Sequence, residues 1–523
     1  MVMPQNATPE PAPRPRRGLP LPWLGAASRH RPTISRLLLR RVAVAAAVVA
    51  ALLLYLSAFR FTWIDDAYIQ LQYARTLLAD GTWGFYAGYP ANTATAPLNV
   101  LLIAAAGLPL GSVERAVTVL TALELAALLW LLLRLSRRLF RRDFFGWFAF
   151  LALATNPLLL STIGMESFLY ALLFVAALCC FLEARWATMA LALGLLTLAR
   201  PDGVLLVVIL VPLAAASVRR KAGTLLIYTA TIAPWFLFSW VYLGSFVPDT
   251  LIIKTEQGAW GPSSFADGLA VYLRFYPAAT LGSLFLAPLC LYPLWQCRAE
   301  IVKLVMVVTA YGGMHFVIYA AVGVPPYHWY FVHQLVPILL VASVGATYHV
   351  ARLGPGLVRS WGRLAILVPA AGLLLLVWEE GFPLGEAPIN SNWATSREYR
   401  DIAEWMRRNL DPSEAVAVRG EIGTVAFYSD RYMVNEFSDM SIADALIEQA
   451  DREAESGLGG LMTFNLYWRQ SHPPLPTPTY EFVAVPAAGE RPGCPVDDPA
   501  CRVTWEGTTE WVGRLWLRVR AIG

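Results

Sequence analysis

Long apolar runs fill the first three quarters of the chain. A helix needs about 20 mostly apolar residues to cross a bilayer, and stretches approaching that length recur about eleven times before residue 380. This pattern predicts a polytopic α-helical membrane protein with about eleven transmembrane helices. The stretches are 42–59, 114–134, 144–161, 167–183, 187–199, 203–217, 222–243, 276–295, 301–322, 331–350 and 361–378.

One further apolar stretch, 96–111, is too short for an ordinary span. Treating it as a span would place the arginines of 134–142 on the outer side, against the positive-inside rule. We therefore expect this segment to lie at the outer membrane surface as an interfacial or re-entrant helix. The first outer loop then covers about 60–112.

Positive charges set the predicted orientation. Lys and Arg cluster in cytoplasmic loops of membrane proteins, and this topology places the basic clusters before and between the helices on one side. We predict a plasma-membrane protein with a cytoplasmic N-terminus. Its domains are a disordered cytoplasmic tail at 1–35, a transmembrane domain at 36–379 and an extracytoplasmic domain at 380–523.

The composition changes after about residue 380, where charges become frequent and apolar runs short. Residues 396–410 predict an amphipathic helix with Ser396 as its N-cap. Short β-prone segments predict a small α/β domain, in which Cys494 and Cys501 are expected to form a disulfide because the outer compartment is oxidising. The predicted strands are 415–418, 432–437, 460–464, 481–485 and 515–519.

Composition excludes several classes of protein. With 57% hydrophobic and 15% charged residues, the chain has more apolar surface than a soluble fold could cover. It has no basic stripe with interleaved aromatic residues, so nucleic acid is not an expected partner. The helices do not divide into two matching halves, which disfavours the common inverted-repeat transporters.

An acidic pair, Asp65-Asp66, follows the first predicted helix. Adjacent residues on a helix project about 100° apart, so the two carboxylates would have different roles. One could be a general base on an acceptor hydroxyl, and the other could orient an arginine or a substrate hydroxyl. Alternatively, either residue could cap the helix predicted at 67–78.

Several outer-side residues could bind a substrate. Cations are rare on this side, so those present could bind a phosphate group, although contact with lipid headgroups is the alternative. Aromatic residues around 327–330 could stack on a sugar or form part of the interfacial aromatic belt. A divalent metal bound by Asp65, Asp66 and Glu166 is only weakly supported. The cations are Arg200, Lys254, Arg274, His328 and His333.

Several short motifs resemble the GT-C superfamily of membrane glycosyltransferases. The acidic pair lies in a long first outer loop, and the interfacial helix after it begins near Pro97. The family's Pro-Asn-Thr loop is matched with Asp249 in place of the usual Asn. Within the superfamily, the resemblance is nearest to bacterial arabinofuranosyltransferases of the mycobacterial type. The other matching segments are 164–167, 198–203, 247–250 with Lys254, 403–406 and 420–423.

This resemblance implies an inverting glycosyltransferase that uses a polyprenyl-phosphate sugar. The sugar, expected to be arabinofuranose, would pass to a glycan or glycolipid acceptor of the cell envelope. A polyprenyl-phosphate-mannose-dependent mannosyltransferase is the alternative within this class, and a lipid or glycolipid transporter is the alternative outside it. No cofactor is expected, because donors of this kind generally need no metal.

The resemblance also implies roles for individual residues. Asp65 would be the catalytic base and Asp66 would support it. The other expected site residues bind the donor or the acceptor, and they are Glu166, Arg200, Lys254, Tyr327, His328 and Glu421.

Overall fold

The computed structural model describes seven main ranges of the chain and a few isolated positions between them. Two compact units are present: 1–47, which contains the start of the first helix, and 48–523, which contains everything discussed below. Residues 34–41 are described as backbone only. The main ranges are 34–257, 263–353, 364–371, 381–439, 474–486, 500–509 and 513–522.

Helices dominate the described part of the chain up to residue 353. We number them in chain order. They are α1 (Ile34–Leu56), α2 (Asp65–Asp80), α3 (Pro97–Leu110), α4 (Val113–Phe140), α5 (Phe144–Ala154), α6 (Pro157–Leu160), α7 (Ser167–Leu182), α8 (Trp186–Ala199), α9 (Val204–Leu213), α10 (Val218–Tyr242), α11 (Thr250–Gln257), α12 (Gly268–Phe275), α13 (Pro277–Leu284), α14 (Ala299–Val322) and α15 (Val332–Arg352).

Five of the described helices are long and apolar enough to cross a membrane. A sixth span results if Phe265–Phe275 and Pro277–Cys290, bent by 118°, are counted together. The helical membrane class is therefore confirmed, but the predicted number of eleven spans is not. Most of 361–378 lies outside the described residues. The long helices are Val42–Phe59, Val113–Phe140, Val218–Tyr242, Ala299–Val322 and His328–Arg352.

The difference in number comes from short helices. Most of the remaining predicted spans correspond to apolar helices of 10–17 residues. The stretch 96–111 also forms a short apolar helix, α3, and its position at the membrane surface stays a prediction. The short apolar helices are Pro97–Leu110, Phe144–Ala154, Ser167–Leu182, Trp186–Ala199 and Pro201–Leu213.

The first loop owes its shape to residues that start and stop helices. Pro97 begins α3, where its missing N–H costs nothing. Gly81 ends α2 and Gly111 ends α3, both in the left-handed conformation that glycine adopts without strain. Ser112 then caps α4 by accepting a hydrogen bond from the N–H of Arg115.

The described part after residue 381 has an α/β arrangement, as predicted. Strands β1 to β5 form one sheet in the order β2-β1-β3-β5-β4. Strand β1 runs parallel to β2 and β3, whereas β5 runs antiparallel to β3 and β4. The elements are α16 (Ser396–Asn409), β1 (Ala415–Val418), α17 (Gly423–Ser429), β2 (Tyr432–Val434), β3 (Tyr480–Pro486), β4 (Cys501–Thr509) and β5 (Gly513–Ala521).

Two details of this region depart from the predictions. The predicted strand at 460–464 lies outside the described residues, and β4 was not predicted. The N-cap of α16 is Thr395 rather than Ser396, because Thr395 and Glu398 form a reciprocal capping box. The hydroxyl of Ser396 instead donates a hydrogen bond to the carbonyl of Trp63. The predicted disulfide between Cys494 and Cys501 is confirmed.

Helix α17 packs closely against α2. A Cβ atom at Gly423 would lie 2.1 Å from the carbonyl oxygen of Asp65 and 2.9 Å from the backbone nitrogen of Ile69. Only glycine allows the two backbones to approach this closely. This contact fixes the acidic pair against the α/β region that follows residue 381.

Candidate active site

Asp65 is held by the start of α17. Its buried carboxylate accepts three backbone hydrogen bonds, from Ile422 at 2.9 Å, Gly423 at 2.8 Å and Thr424 at 2.7 Å. Burial raises the pKa of Asp65, and the three N–H groups act in the opposite direction. Both carboxylate oxygens are thus engaged in capping a helix from another part of the chain.

Asp66 has a different environment. Its side chain is half-buried and makes no hydrogen bond to the residues that the structure describes. The pKa of Asp66 is raised to about 6, chiefly by burial; Lys254 acts to lower it, and the charges of Asp65 and Glu166 act with burial to raise it. A carboxylate with a pKa near neutrality is well suited to accept a proton. Of the two carboxylates, Asp66 is the one that is not held by the backbone N–H groups of α17, whereas the sequence analysis expected Asp65 to be the base.

Lys254 is the cation that lowers the pKa of Asp66 most strongly. Its ammonium donates a hydrogen bond of 2.8 Å to the hydroxyl of Tyr327 and lies 4.1 Å from the centre of that ring. Phe437 contributes a second aromatic face at 5.0 Å. Burial lowers the pKa of Lys254, but Tyr327 and Asp66 raise it above its ordinary value. The side chain therefore stays a cation despite being buried.

Glu166 and Arg200 form a buried ion pair. Nη1 of Arg200 lies 2.6 Å from Oε1 of Glu166, and its Nε lies 3.1 Å from Oδ2 of Asp202. The guanidinium carbon also lies 5.4 Å from the centre of the Tyr330 ring. These two hydrogen bonds use two of the five N–H donors of the guanidinium. The ion pair thus joins two turns that lie more than thirty positions apart in the sequence.

Two residues that the sequence analysis missed extend this network. Gln70 donates a hydrogen bond of 2.6 Å to Oε2 of Glu166 and accepts one of 2.6 Å from Asn99. Gln70 lies four positions after Asp66, so both face the same side of α2. That spacing was a usable signal, but amide side chains on a helix are too common to single out without the structure.

Two cavities meet at Asp66 and Lys254. The first, which we call the apolar cavity, has a volume of about 480 Å³ and is lined by side chains of α10 and α14 such as Phe236 and Ile318. The second, the polar cavity, has a volume of about 330 Å³ and is lined by loop residues such as Asn392 and Glu436. Both volumes are typical of small-molecule sites. The residues shared by the two cavities are Asp66, Ile69, Lys254 and Phe437.

The remaining predicted site residues do not all line the same cavity. Tyr327 and Glu421 line the polar cavity, and Arg200 lines the apolar one. Glu421 accepts hydrogen bonds from the N–H of Trp393 at 2.7 Å and from the hydroxyl of Tyr399. Burial and the charge of Asp65 raise the pKa of Glu421 well above its ordinary value.

His328 lies away from both cavities. It is completely buried, with Nδ1 3.2 Å from the hydroxyl of Ser391 and the Tyr272 ring at its edge. It is absent from the lining of either cavity. The geometry therefore gives no support to the predicted contact between His328 and a donor phosphate.

No family model matches the sequence, and no curated protein matches it. Solved structures, however, share its fold. ArnT from Cupriavidus metallidurans bound to undecaprenyl phosphate has a TM-score of 0.53 at 15% identity, over 93% of this chain and 98% of that chain. The oligosaccharyltransferase of Archaeoglobus fulgidus has a TM-score of 0.50 at 14% identity, over 85% and 69%. Arabinofuranosyltransferase AftD from mycobacteria has a TM-score of only 0.40, over 73% and 29%.

These comparisons define the class of fold. The chain shares its fold, over most of its length, with ArnT and the archaeal oligosaccharyltransferase, which are GT-C glycosyltransferases. The resemblance inferred from the sequence motifs is confirmed at this level. The similarity to AftD is too low to bear on the choice of sugar.

Proposed function

We propose that this protein is a membrane glycosyltransferase that uses a polyprenyl-phosphate sugar and acts on the outer face of the membrane. The observation that carries the proposal is the position of Asp66 and Lys254, where the apolar cavity meets the polar one. In this proposal Asp66 is the base and Lys254 the phosphate-binding cation, the apolar cavity binds the lipid and the polar cavity binds a hydroxylated acceptor. The undecaprenyl phosphate bound to ArnT supports a ligand of the same kind here.

The apolar cavity suits the donor. Its walls include Ile232, Phe236, Ile318 and Val322 of α10 and α14, which match an isoprenoid chain in polarity. Lys254 and Arg200 line the same cavity. When the bond between the sugar and the phosphate breaks, the leaving phosphate gains negative charge, which a fixed cation stabilises. We assign this role first to Lys254, because Arg200 is already paired with two carboxylates.

The polar cavity suits the acceptor. The ring of Trp393 offers a face for a sugar, and Glu436 and Asn392 offer groups that can bind hydroxyls. Tyr327 accepts a hydrogen bond from Lys254, which lines both cavities. Glu421 supports this cavity by holding the backbone of Trp393 in place.

Asp66 is the proposed base. The acceptor hydroxyl transfers its proton to Asp66 while its oxygen forms a bond to the anomeric carbon of the donor sugar. The bond from that carbon to the phosphate oxygen breaks, and the polyprenyl phosphate leaves with the electron pair. One displacement without a covalent intermediate on the protein inverts the anomeric configuration. Asp65 positions Asp66 by anchoring α2 to α17.

Arabinofuranose is the sugar that we propose, from the motif resemblance, with mannose second. The test uses membranes that contain the full-length protein and offers polyprenyl-phosphate arabinofuranose and polyprenyl-phosphate mannose separately. We expect a glycosylated acceptor, detected by mass spectrometry, with one donor only. The Asp66→Asn variant should form no product, whereas Asp401→Asn, the same change at an exposed position of α16, should match the wild type.

The outcome separates the alternatives. Product from the mannose donor alone would replace arabinofuranose by mannose and leave the mechanism unchanged. Product from neither donor, together with movement of the labelled lipid across the membrane, would refute the glycosyltransferase and favour a transporter. Full activity of Asp66→Asn would refute the assignment of the base.

A further inference from the structure

His315, His333 and Asp202 lie close together next to Arg200, which lines the apolar cavity. Nε2 of His333 lies 3.4 Å, and Nε2 of His315 3.7 Å, from Oδ2 of Asp202. The three ligand atoms all lie within 4.8 Å of one another. No other group of three or more potential metal ligands this close occurs in the part of the chain that the structure describes. His315 belongs to α14 and His333 to α15, so three separate elements bring the group together.

The Nε2 nitrogens of both histidines face Asp202 from inside the protein. Both histidines are completely buried, and neither Nε2 atom makes a hydrogen bond with the described residues. The side-chain oxygen of Gln334, in the orientation that satisfies its amide, accepts a hydrogen bond of 2.8 Å from Nδ1 of His315. The other ring nitrogen of His315, Nε2, therefore faces Oδ2 of Asp202 at 3.7 Å. A metal ion between the two Nε2 atoms and Oδ2 of Asp202 would have all three as ligands.

The Nδ1 nitrogens, which point away from Asp202, make contacts that are also typical of histidines that bind metals. Nδ1 of His333 lies 2.6 Å from the hydroxyl of Tyr311, and Nδ1 of His315 faces Gln334. Partners of this kind fix the orientation of the ring and leave the second nitrogen for the ion. Tyr319 adds a hydrogen bond of 2.8 Å to the other oxygen of Asp202. Each of the three ligand side chains is therefore held from outside the group.

The balance of charges around the apolar cavity also favours a bound cation. The carboxylates of Asp66, Glu166 and Asp202 outnumber the cations of Arg200 and Lys254 by one. The phosphate of the proposed donor would add further negative charge to the same buried region. Buried charges without a counter-charge are costly, so the site favours an additional cation. This step alone rests on the proposed function.

We propose that Asp202, His315 and His333 bind a divalent transition-metal ion, with Zn²⁺ as the best match. Two imidazoles and one carboxylate form a donor set that Zn²⁺ uses with a water molecule as fourth ligand. For bonds of about 2.0–2.2 Å, the ligands of a tetrahedral ion lie roughly 3.3–3.6 Å apart, close to the separations around Asp202. The two rings are nearly parallel, with centres 4.1 Å apart, so binding requires them to tilt toward each other at Nε2.

The ion would act on the donor site through Asp202. Oδ2 of Asp202 is 3.1 Å from Nε of Arg200, so one carboxylate would connect the ion to the guanidinium. Arg200 in turn lines the apolar cavity. Binding of the ion to Asp202 would therefore affect the position and charge of Arg200, which faces the proposed donor site.

The test measures metal binding directly and needs no transfer assay. Full-length protein in detergent, freed of its purification tag and stripped with a chelator, is equilibrated with Co²⁺ or Zn²⁺. We expect one bound ion per chain and, with Co²⁺, the visible absorption bands of a tetrahedral site. The His315→Gln/His333→Gln double variant should bind at least tenfold more weakly. His349→Gln, at an exposed position of α15, should bind like the wild type.

Thermal unfolding provides a second measurement. Added Zn²⁺ should raise the Tm of the wild type and of His349→Gln, because an ion that binds only the folded state stabilises it. The Tm of the double variant should not respond. If the double variant does not fold, the single variant His315→Gln takes its place. Equal metal content in wild type and variant, or no bound ion in the wild type, would overturn the proposal, and neither result bears on glycosyl transfer.

Discussion

The N–H of Gly423 donates a hydrogen bond of 2.8 Å to Oδ2 of Asp65, across 358 positions of sequence. Together with the N–H groups of Ile422 and Thr424, it makes Asp65 a cap for the first turn of α17. Asp66, which projects about 100° away on the same helix, remains at the junction of the two cavities. One member of the acidic pair is thus structural, and the other is available for chemistry.

Amide variants of the two acids should separate these roles. Asp66→Asn removes the proposed proton acceptor, and we expect the transfer rate to fall by about 10²–10⁴-fold with an unchanged Tm. Asp65→Asn turns an amide NH₂ group toward backbone N–H donors, which should reduce the free energy of unfolding by about 1–3 kcal/mol. Paired transfer assays and thermal unfolding measure both effects. An inactive Asp65→Asn variant with wild-type Tm would instead restore Asp65 as the base.

The pH dependence should report Asp66. Its pKa of about 6 means that the base is protonated below this pH, so kcat/KM should rise as the pH increases and level off above the pKa. The ammonium of Lys254 lowers this pKa. Lys254→Met should therefore move the acidic limb of the profile to higher pH, in addition to raising the KM for the donor.

Lys303→Met is the matched control for that shift. Lys303 belongs to α14, and its ammonium lies over the ring of Phe181 in α7. It lines neither cavity. Its replacement should leave the acidic limb where it is in the wild type. A shift of the Lys254→Met limb to lower pH would contradict the proposed interaction with Asp66.

The close contact between α2 and α17 predicts a strong effect of one methyl group. In Gly423→Ala, the new Cβ would lie 2.1 Å from the carbonyl oxygen of Asp65, and we expect a loss of roughly 1–3 kcal/mol or more in stability. Gly223→Ala in α10 is the control, because no atom lies within 4 Å of the added Cβ. It should leave Tm unchanged or raise it slightly. Equal Tm values for the two variants would argue against a tight contact.

The ion pair between Glu166 and Arg200 should matter because it is buried. Glu166→Ala removes one partner of a contact of 2.6 Å, and leaving the other charge buried should cost roughly 3–5 kcal/mol. Asp143→Ala breaks a contact with Arg137 of the same length at an exposed position. Solvent screens that pair, so little change in stability is expected. Thermal unfolding of both variants provides the comparison, and similar Tm losses would refute the role of burial.

Sequence information was sufficient for the class of fold but not for the assignment of roles. Glu166 and Arg200 were both identified from turn motifs, and the structure joins them directly. By contrast, the spacing of Asp65 and Asp66 gives only the angle between them, not which one faces a cavity. That choice depends on Gly423, whose position no local pattern around the acidic pair reveals.

The predicted number of spans is not confirmed for a similar reason. Hydropathy detects apolar stretches, but it does not show where a helix stops inside them. The stretch 144–161 is interrupted at Asn156, whose side chain caps a new short helix, and within 276–295 the helix α13 already ends at Leu284. Strand β4 was missed because polar residues such as Thr504 and Glu506 weaken its apolar pattern.

The cap on Asp65 also sets an order of events during synthesis. The ribosome must add 358 residues after Asp65 before Gly423 exists to donate its hydrogen bond. The helices that surround the apolar cavity, the last of them α14, are therefore made before the segment that fixes the acidic pair. A newly inserted chain therefore keeps its acidic pair unanchored until Gly423 and its neighbours have been made, so this contact between α2 and α17 forms late in synthesis.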